Sequence, residues 1–242
     1  MKVDNCVALV TGANRGIGQE FVRVLLSRGA RKVYAASRGG LAGDLARDKR
    51  VVALALDVTD AKAVAGAAAR AADVALLVNN AGVNSQRAFI AAPSLDDARR
   101  EMETNYFGTL DMCRAFAPVL KKNGGGAIVN MASILGEVTL PMMGSLCASK
   151  AALLRLTQGV RAELAGQGTR VLAVLPGAVD TDMSRDFPPP KMPPADVVAA
   201  VLDALDGGAD DVYPGAMASG LRQGLLADPK AIERDFAKYL PQ

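Results

Sequence analysis

Short apolar runs alternate with longer amphipathic stretches along most of the chain. The first run, Val7-Ala8-Leu9-Val10, is continuous, which is typical of a strand buried on both faces of a sheet. Such runs predict strands at 7–10, 32–36, 51–56, 74–78, 127–131 and 170–175, with a last short one at 211–213. The other stretches predict helices at 16–27, 60–71, 96–121, 145–165, 194–205 and 228–239.

This alternation indicates βαβ crossovers. It predicts an α/β protein with a Rossmann-type, doubly wound parallel β-sheet of about seven strands and helices on both faces. Neither an internal repeat nor an interdomain linker is evident, so residues 1–242 are expected to form a single domain. No apolar run approaches the roughly eighteen residues of a membrane span, and the N-terminus lacks a secretory pattern. We therefore expect a cytoplasmic protein with no membrane partner.

One segment, residues 177–194, departs from the alternation. It is rich in Pro, Asp and Met, and Pro188-Pro189-Pro190 prevents regular structure there. Connections of this length inside a domain are often lids or contact the substrate, although a disordered surface excursion is an alternative.

Composition narrows the chemistry. The chain has no histidine, which excludes Ser-His-Asp and Cys-His catalysis. Its three cysteines, Cys6, Cys113 and Cys147, follow no metal or disulfide spacing, so we predict no metal site. The net charge of +3 is evenly spread and does not indicate a nucleic-acid partner.

A glycine-rich turn lies between the first strand and the first helix. Glycines there allow the backbone to approach a pyrophosphate, and the helix N-terminus presents free N–H groups to it. The turn consists of Thr11, Gly12, Ala13, Asn14, Arg15, Gly16, Ile17 and Gly18. It lacks the lysine of a P-loop, so hydrolysis of a nucleoside triphosphate is not favoured.

Further motifs follow this turn in order along the chain. They are Asp57 after the third strand, Asn79-Asn80-Ala81-Gly82 after the fourth, Asn105 in the long helix, Ser133 after the fifth strand, Lys150 in the next helix, and Pro176-Gly177 with Thr181 after the sixth strand. Together with the Thr-Gly-x-x-x-Gly-x-Gly turn, they resemble the short-chain dehydrogenase/reductase family over nearly the whole chain.

The resemblance implies an oxidoreductase that binds a nicotinamide dinucleotide. Asp57 would hold the adenine, Asn80 would approach the adenosine ribose, and Lys150 would grip the nicotinamide ribose. The full set of implied cofactor contacts is Thr11, Gly12, Asn14, Arg15, Gly16, Ile17, Gly18, Ser37, Arg38, Asp57, Val58, Asn80, Ala81, Gly82, Lys150, Pro176, Gly177, Val179 and Thr181. The resemblance also implies a homodimer or homotetramer that pairs through the two long helices.

The end of the second strand indicates which dinucleotide is bound. An acidic residue there would bond the ribose 2′-hydroxyl, whereas arginine accommodates a 2′-phosphate. This chain has Ser37 and Arg38, and Arg15 in the glycine turn adds a second guanidinium. NADP(H) is therefore predicted over NAD(H), with two solvated arginines as the alternative.

The catalytic motif has one departure from the family. In the family a tyrosine donates a proton to the reduced carbonyl, assisted by a lysine four residues later and a serine thirteen residues earlier. Lys150 and Ser133 have this spacing from position 146, which is Leu146. The implied catalytic set is thus Asn105, Ser133 and Lys150, without the usual acid. Loss of a general acid typically costs about 10²–10⁴ in rate.

Four interpretations of Leu146 are open. The chain is a reductase with another proton source: Ser133 relaying from water, Lys150 with a pKa lowered by burial, or Glu137 or Tyr106 if the fold brings them close. Alternatively, the substrate is an iminium ion, which needs no strong acid. A third interpretation is a catalytically silent nucleotide-binding homologue that acts as a sensor or partner subunit. The fourth is an engineered substitution in an ordinary reductase.

The substrate pocket is expected beyond the carboxyl ends of the strands. Its predicted lining, besides Ser133, is Leu135, Val138, Met142, Met143, Leu146, Met183 and Phe187. This apolar, methionine-rich set suits a hydrophobic substrate, although methionines of the core would give the same pattern.

Overall fold

Seven parallel strands form the central sheet of the computed structural model, which describes residues 1–41 and 43–241. They are β1 (Val7–Thr11), β2 (Lys32–Ser37), β3 (Val51–Ala55), β4 (Leu76–Asn79), β5 (Gly126–Met131), β6 (Thr169–Val174) and β7 (Asp211–Val212). Their order is β3-β2-β1-β4-β5-β6-β7. The strand order reverses between β1 and β4, and a crevice for a ligand is expected there, at the carboxyl ends of the strands.

Helices cover both faces of this sheet. They are α1 (Gly16–Ser27), α2 (Ala61–Arg70), α3 (Asp96–Glu101), α4 (Thr109–Lys122), α5 (Gly144–Leu164), α6 (Pro194–Gly207), α7 (Gly215–Ala227) and α8 (Pro229–Phe236). Successive side chains of β1 point to opposite faces, so Leu9 packs in the apolar cluster under α2, α4 and α5, and Val10 packs in the cluster under α1 and α6. No described helix is both long and apolar enough to cross a membrane.

The predicted fold class is confirmed, and most element bounds agree to within two residues. Two features were not predicted. The long helix contains seven residues of π-helical geometry, Met102–Gly108, between α3 and α4. Helix α7 was missed because its glycines lower helix propensity and it buries only Ala218 and Leu221. The predicted terminal helix at 228–239 is shorter, since α8 ends at Phe236.

The 177–194 segment is tied at both ends. Val179 and Met192 pair as an isolated parallel bridge. The Met192 amide donates to the Ala178 carbonyl at 2.9 Å, and the Asp180 amide donates to the Met192 carbonyl at 2.8 Å. A short 3-10 turn, Asp182–Ser184, lies inside this loop. The segment is therefore anchored beside the carboxyl end of β6.

Candidate active site

The glycine turn is closely packed against the end of β4. A Cβ atom on Gly18 would lie 2.2 Å from the Gly12 carbonyl oxygen and 2.4 Å from Asn80 Nδ2, so no other residue fits there without movement. Gly12 and Gly16 have φ angles of 63° and 54°, which side chains rarely adopt. Helix α1 begins at Gly16, within this turn, and its N-cap residue, Arg15, makes no side-chain capping hydrogen bond.

A hydrogen-bond network fixes the turn to the sheet. Thr11 Oγ1 accepts from the amides of Asn80 (2.9 Å) and Ala81 (3.0 Å). The Asn80 side chain donates to the Thr11 carbonyl at 2.9 Å. Asn80 therefore holds β1 and β4 together at the position where the strand order reverses.

The predicted 2′-phosphate region contains exposed cations. Arg38 is exposed at the end of β2 and forms no ion pair with any residue in the described part of the chain. Ser37 is buried, and its hydroxyl donates to the Gly40 carbonyl at 2.9 Å. Hydrogen bonds from Thr59 hold the pKa of the Asp57 carboxyl below its usual range. Asp57 thus remains an ionised acceptor beside the third strand.

The loop after β6 returns to the glycine turn. A Cβ on Gly16 would lie 3.3 Å from Thr181 Cγ2, and Arg15 pairs with Asp182 at 3.5 Å. Two residues of the implied cofactor set have side chains in the core: Val58 is buried against Gly108, and Val179 is 5% exposed. Asn14 is exposed on the turn, and Ile17 packs partly on the sheet.

These features fit a dinucleotide. A crowded glycine turn, a helix start without a side-chain cap and the exposed Arg38 guanidinium, which has no ion-pair partner among the described residues, suit a pyrophosphate and its flanking groups. Gly12, Gly16, Gly18 and Arg15 would hold the phosphates, and the loop after β6 would contact the nicotinamide end.

Asn105 lies within the π-helical segment and is 1% exposed. Its Oδ1 accepts from the Val83 amide at 2.9 Å, and its Nδ2 donates to the Val83 carbonyl at 3.0 Å and to Ser149 Oγ at 2.9 Å. Ser149 Oγ in turn donates to the Leu146 carbonyl at 2.8 Å. π-Helical turns are frequent at functional sites. Here the π-helical segment carries Asn105, whose hydrogen bond to Ser149 links it to α5, the helix of Leu146 and Lys150.

Lys150 is partly buried on α5, and its Nζ donates to the Met131 carbonyl at 2.7 Å. Burial lowers the pKa of this ammonium group to about 8. A Cβ on Gly82 would lie 3.2 Å from Asn105 Oδ1 and 3.7 Å from Lys150 Nζ, so the glycine makes room for both groups. The structure therefore brings Gly82, Asn105 and Lys150 together.

Ser133 precedes a short 3-10 turn, Ile134–Gly136, and its Oγ accepts from the Leu135 amide at 3.1 Å. It is partly exposed at the carboxyl end of β5. Its hydroxyl proton is not used by that bond, so it can be donated to a substrate atom.

Leu146 is 7% exposed in an apolar cluster beside these polar groups. The cluster contains Met143, Leu146 and Cys147, with Leu135, Leu140, Met142 and Phe187 packed against it. Two other residues of the predicted lining are not members of this cluster. Val138 belongs to the main core below α5, and Met183 is 45% exposed on the 3-10 turn at 182–184.

Three other side chains that could serve as the acid make contacts of their own. Glu137 accepts hydrogen bonds from Tyr213 (2.9 Å) and Arg222 (3.1 Å). Tyr106 packs edge-on against Phe107, with ring centroids 4.9 Å apart. Burial raises the pKa of the Cys147 thiol, whose sulfur accepts from the Leu140 amide. The predicted alternatives Glu137 and Tyr106 are therefore engaged in other contacts.

Ser149 was not identified from the sequence, although it is three residues beyond Leu146 and faces the same network. Met217 and Tyr239 were also missed, because nothing in their local sequence places them at the site. Met217 Sδ lies 3.3 Å from the Ala178 amide, and the Tyr239 carbonyl accepts from the Met142 amide at 3.2 Å.

The fold and site define a nicotinamide-dependent oxidoreductase, and comparisons with known proteins identify its family. Residues 6–191 match the family described as short chain dehydrogenase. Galactitol 2-dehydrogenase (L-tagatose-forming) of Cereibacter sphaeroides is 40% identical over 194 residues, which are 76% of this chain and 75% of that protein. The chain therefore belongs to the short chain dehydrogenase family, whose members bind a nicotinamide cofactor, and is an oxidoreductase.

Solved structures of short chain dehydrogenases share this fold. A short chain dehydrogenase from Burkholderia cenocepacia J2315 in complex with NADP is 53% identical, with a TM-score of 0.92 and coverage of 98% of this chain and 99% of that one. A short chain dehydrogenase/reductase from Burkholderia phymatum in complex with NAD shares the fold at a TM-score of 0.81, with 24% identity and coverage of 99% of this chain and 97% of that one.

Proposed function

We propose that the chain acts as a single NADP(H)-binding domain that reduces hydrophobic imine or carbonyl compounds, with imines favoured. The observation that carries this proposal is the arrangement around Leu146. An apolar side chain occupies the position of the family's proton donor, while Asn105 and Ser149 are hydrogen-bonded beside it and Lys150 lies nearby, bonded to the Met131 carbonyl. Such a site retains its positioning groups and lacks only the acid.

The preference for NADPH rests on Arg15 and Arg38. Both side chains are exposed, Arg38 at the end of β2 and Arg15 in the glycine turn, where its ion pair with Asp182 is long (3.5 Å); two planar guanidinium groups match a dianionic 2′-phosphate. The similar Burkholderia cenocepacia protein was solved with NADP, which supports the same preference here.

The dinucleotide, when bound, supplies a hydride. Lys150 would hold its ribose, and Pro176 and Gly177 would border the nicotinamide. The Ser133 hydroxyl would orient the substrate by donating a hydrogen bond to a carbonyl oxygen or by accepting one from the N–H of a protonated imine. Asn105 fixes the backbone at Val83 and, through Ser149, the turn of α5 that carries Leu146.

Proton supply decides between the two substrate classes. A ketone becomes an alkoxide on hydride addition and needs a donor, whereas a protonated imine is neutralised by the hydride. Lys150, with a pKa of about 8, is the remaining donor for ketones, although its Nζ is bonded to Met131. Because an iminium substrate needs no proton donor at position 146, the apolar Leu146 does not slow its reduction. Imines are therefore favoured over ketones.

The test is NADPH oxidation with a five-membered cyclic imine and a ketone of matched ring size, for the protein as it is and for Leu146→Tyr. We expect the unaltered protein to prefer the imine. Leu146→Tyr should raise ketone reduction by about 10²–10⁴, the typical contribution of a general acid. Leu153→Met, a volume-conserving core change further along α5, is the control and should alter neither rate. Equal rates on both substrates in the unaltered protein would refute the imine preference.

A catalytically silent nucleotide-binding homologue is the second candidate, and the buried leucine itself favours it. Tight NADPH binding without turnover on either substrate would support that candidate.

We also propose a homodimer or homotetramer. Phe107, 49% exposed in the π-helical segment, supports an interface there, whereas Leu156 of α5 is buried in the core. Sedimentation of the purified protein would decide.

A further inference from the structure

A cavity lies between α5, α7 and the last two strands of the sheet. Its volume is about 470 Å³. Pockets that bind small molecules typically have volumes of roughly 300–1,000 Å³. Asn105, Ser133, Leu146 and Lys150 are not among the described residues that line it. The cavity is therefore separate from the candidate active site.

The lining of this cavity combines apolar and polar side chains. Helix α5 contributes Ala151, Ala152 and Leu154, and α7 contributes Leu225. Polar side chains of the same helices and of the neighbouring loops supply the rest; they are Glu137, Arg155, Gln158, Asp211, Tyr213 and Arg222. A ligand that fits this lining must combine an apolar body with a polar group.

Both acids of the cavity already have a cationic partner. Glu137 Oε1 accepts hydrogen bonds from Arg222 at 3.1 Å and from Tyr213 at 2.9 Å. Asp211 pairs with Arg161 at 2.7 Å. Glu137 Oε2 has no partner among the described residues, but it is a buried atom, so an amine of a ligand cannot reach it. The cavity therefore presents little uncompensated negative charge.

Arg155 is the cation of the cavity that has no acidic partner in the described part of the chain. Its Nη1 donates to Gln158 Oε1, a neutral acceptor, at 2.9 Å. The other N–H groups of the Arg155 guanidinium and the Gln158 amide nitrogen donate to no described residue. A guanidinium with free, coplanar donors matches the geometry of a carboxylate. The positive charge and the free donors of the cavity therefore favour an anionic group.

Gly136 lines the same cavity and ends the 3-10 turn that follows Ser133. A Cβ on Gly136 would lie 2.8 Å from Leu154 Cδ1 and 2.9 Å from the Lys150 carbonyl oxygen. The turn thus packs directly against α5 and leaves no space between the cavity and the backbone of Lys150. A ligand in the cavity would therefore lie beside the turn that carries Ser133 without entering the candidate active site.

We propose that this cavity binds a small organic carboxylate. Its acid group would contact Arg155 and Gln158, and its apolar body would lie against Ala152 and Leu225. The inference goes beyond the proposed function and does not depend on it, because none of these residues takes part in binding the dinucleotide or in hydride transfer.

The test is calorimetry on protein saturated with NADP⁺, with benzoate and with benzamide, which has the same ring and no charge. We expect benzoate to bind about tenfold to a hundredfold more tightly, the typical effect of one charge-assisted hydrogen bond. Arg155→Gln should remove that difference. Arg23→Gln, a 57% exposed arginine of α1 on the opposite face of the sheet, is the matched control and should preserve it. Ala152→Leu fills part of the cavity and should weaken the binding of both compounds.

Absent binding of benzoate, or equal affinity for benzoate and benzamide, would overturn the proposal. So would a benzoate affinity that falls in Leu146→Tyr but not in Arg155→Gln, because the ligand would then lie in the candidate active site. If benzoate does not bind and Arg155→Gln changes the oligomeric state in sedimentation, the cavity is instead a contact between copies of this chain. Failure of the proposed function has a different signature, namely no NADPH oxidation with any substrate, and it does not alter these binding results.

Discussion

The two ends of the candidate site are built from different parts of the chain. At the nucleotide end, the shape comes from backbone: Gly12, Gly16 and Gly18 are held where a Cβ atom would be strained or would collide. At the chemical end, the shape comes from side chains: Asn105 and Ser149 are joined by a hydrogen bond, next to an apolar cluster. A site that is shaped by glycine backbone tolerates almost no substitution. A site that is shaped by side chains can change its chemistry when one residue is replaced.

The first prediction tests how strictly the backbone end depends on glycine. Gly18→Ala places a Cβ 2.2 Å from the Gly12 carbonyl oxygen, so the turn must move away from the helix start. We expect NADPH affinity to fall by roughly a hundredfold or more, measured by the fluorescence of bound NADPH. Gly66→Ala in α2 is the control, because a Cβ there meets nothing within 4 Å. It should bind normally and gain about 0.5–1 kcal/mol in free energy of unfolding.

The second prediction concerns Arg38, whose side chain lies at the nucleotide end of the candidate site. Arg38→Ala removes a charge-assisted contact, worth about 1.5–3 kcal/mol, from the proposed 2′-phosphate position. The ratio of NADPH to NADH affinity should fall about tenfold to a hundredfold. Arg47→Ala, an 85% exposed side chain on the neighbouring turn, should leave the ratio unchanged. An unaltered ratio of NADPH to NADH affinity in Arg38→Ala would show that Arg38 does not contact the 2′-phosphate.

The third prediction uses the titration of Lys150. Burial lowers its pKa to about 8, so the ammonium form dominates below that pH and is lost above it. If Lys150 supplies the proton for ketones, their reduction should fall about fivefold between pH 8 and pH 9 and about tenfold for each further pH unit. Reduction of a quaternary iminium salt, which needs no proton, should stay level over the same range. Parallel decline of both rates would assign the pH dependence to another step.

The smallest expected effect is on the hydrogen-bonded set at the chemical end. Ser149→Ala removes one acceptor from Asn105 and the donor to the Leu146 carbonyl. Because Asn105 keeps both bonds to Val83, we expect a loss of about 1 kcal/mol in free energy of unfolding and less than about tenfold in turnover. Ser219→Ala, an exposed serine with a local backbone bond, should change neither by a measurable amount.

The same contrast explains what the sequence could predict. Glycine spacing after a buried strand is a local signal, so the turn and the sheet followed from it directly. The Asn105 contacts depend on a π-helical segment that no periodicity reveals, and Ser149 becomes relevant only through that segment. Helix α7 is rich in glycine and buries little, so neither propensity nor pattern marks it. The positions of Met217 and Tyr239 depend on long-range packing, which is not encoded locally.

The bridge between Val179 and Met192 has a consequence for how this protein can change in evolution. It closes the connection after β6 into a loop whose base is fixed and whose tip includes Phe187, a member of the Leu146 cluster. Lengthening a closed loop is cheap, about 0.6 kcal/mol for each doubling. Insertions in the tip can therefore remodel the pocket while Thr181 keeps its place beside Gly16. Substrate specificity and cofactor affinity can therefore evolve independently of each other.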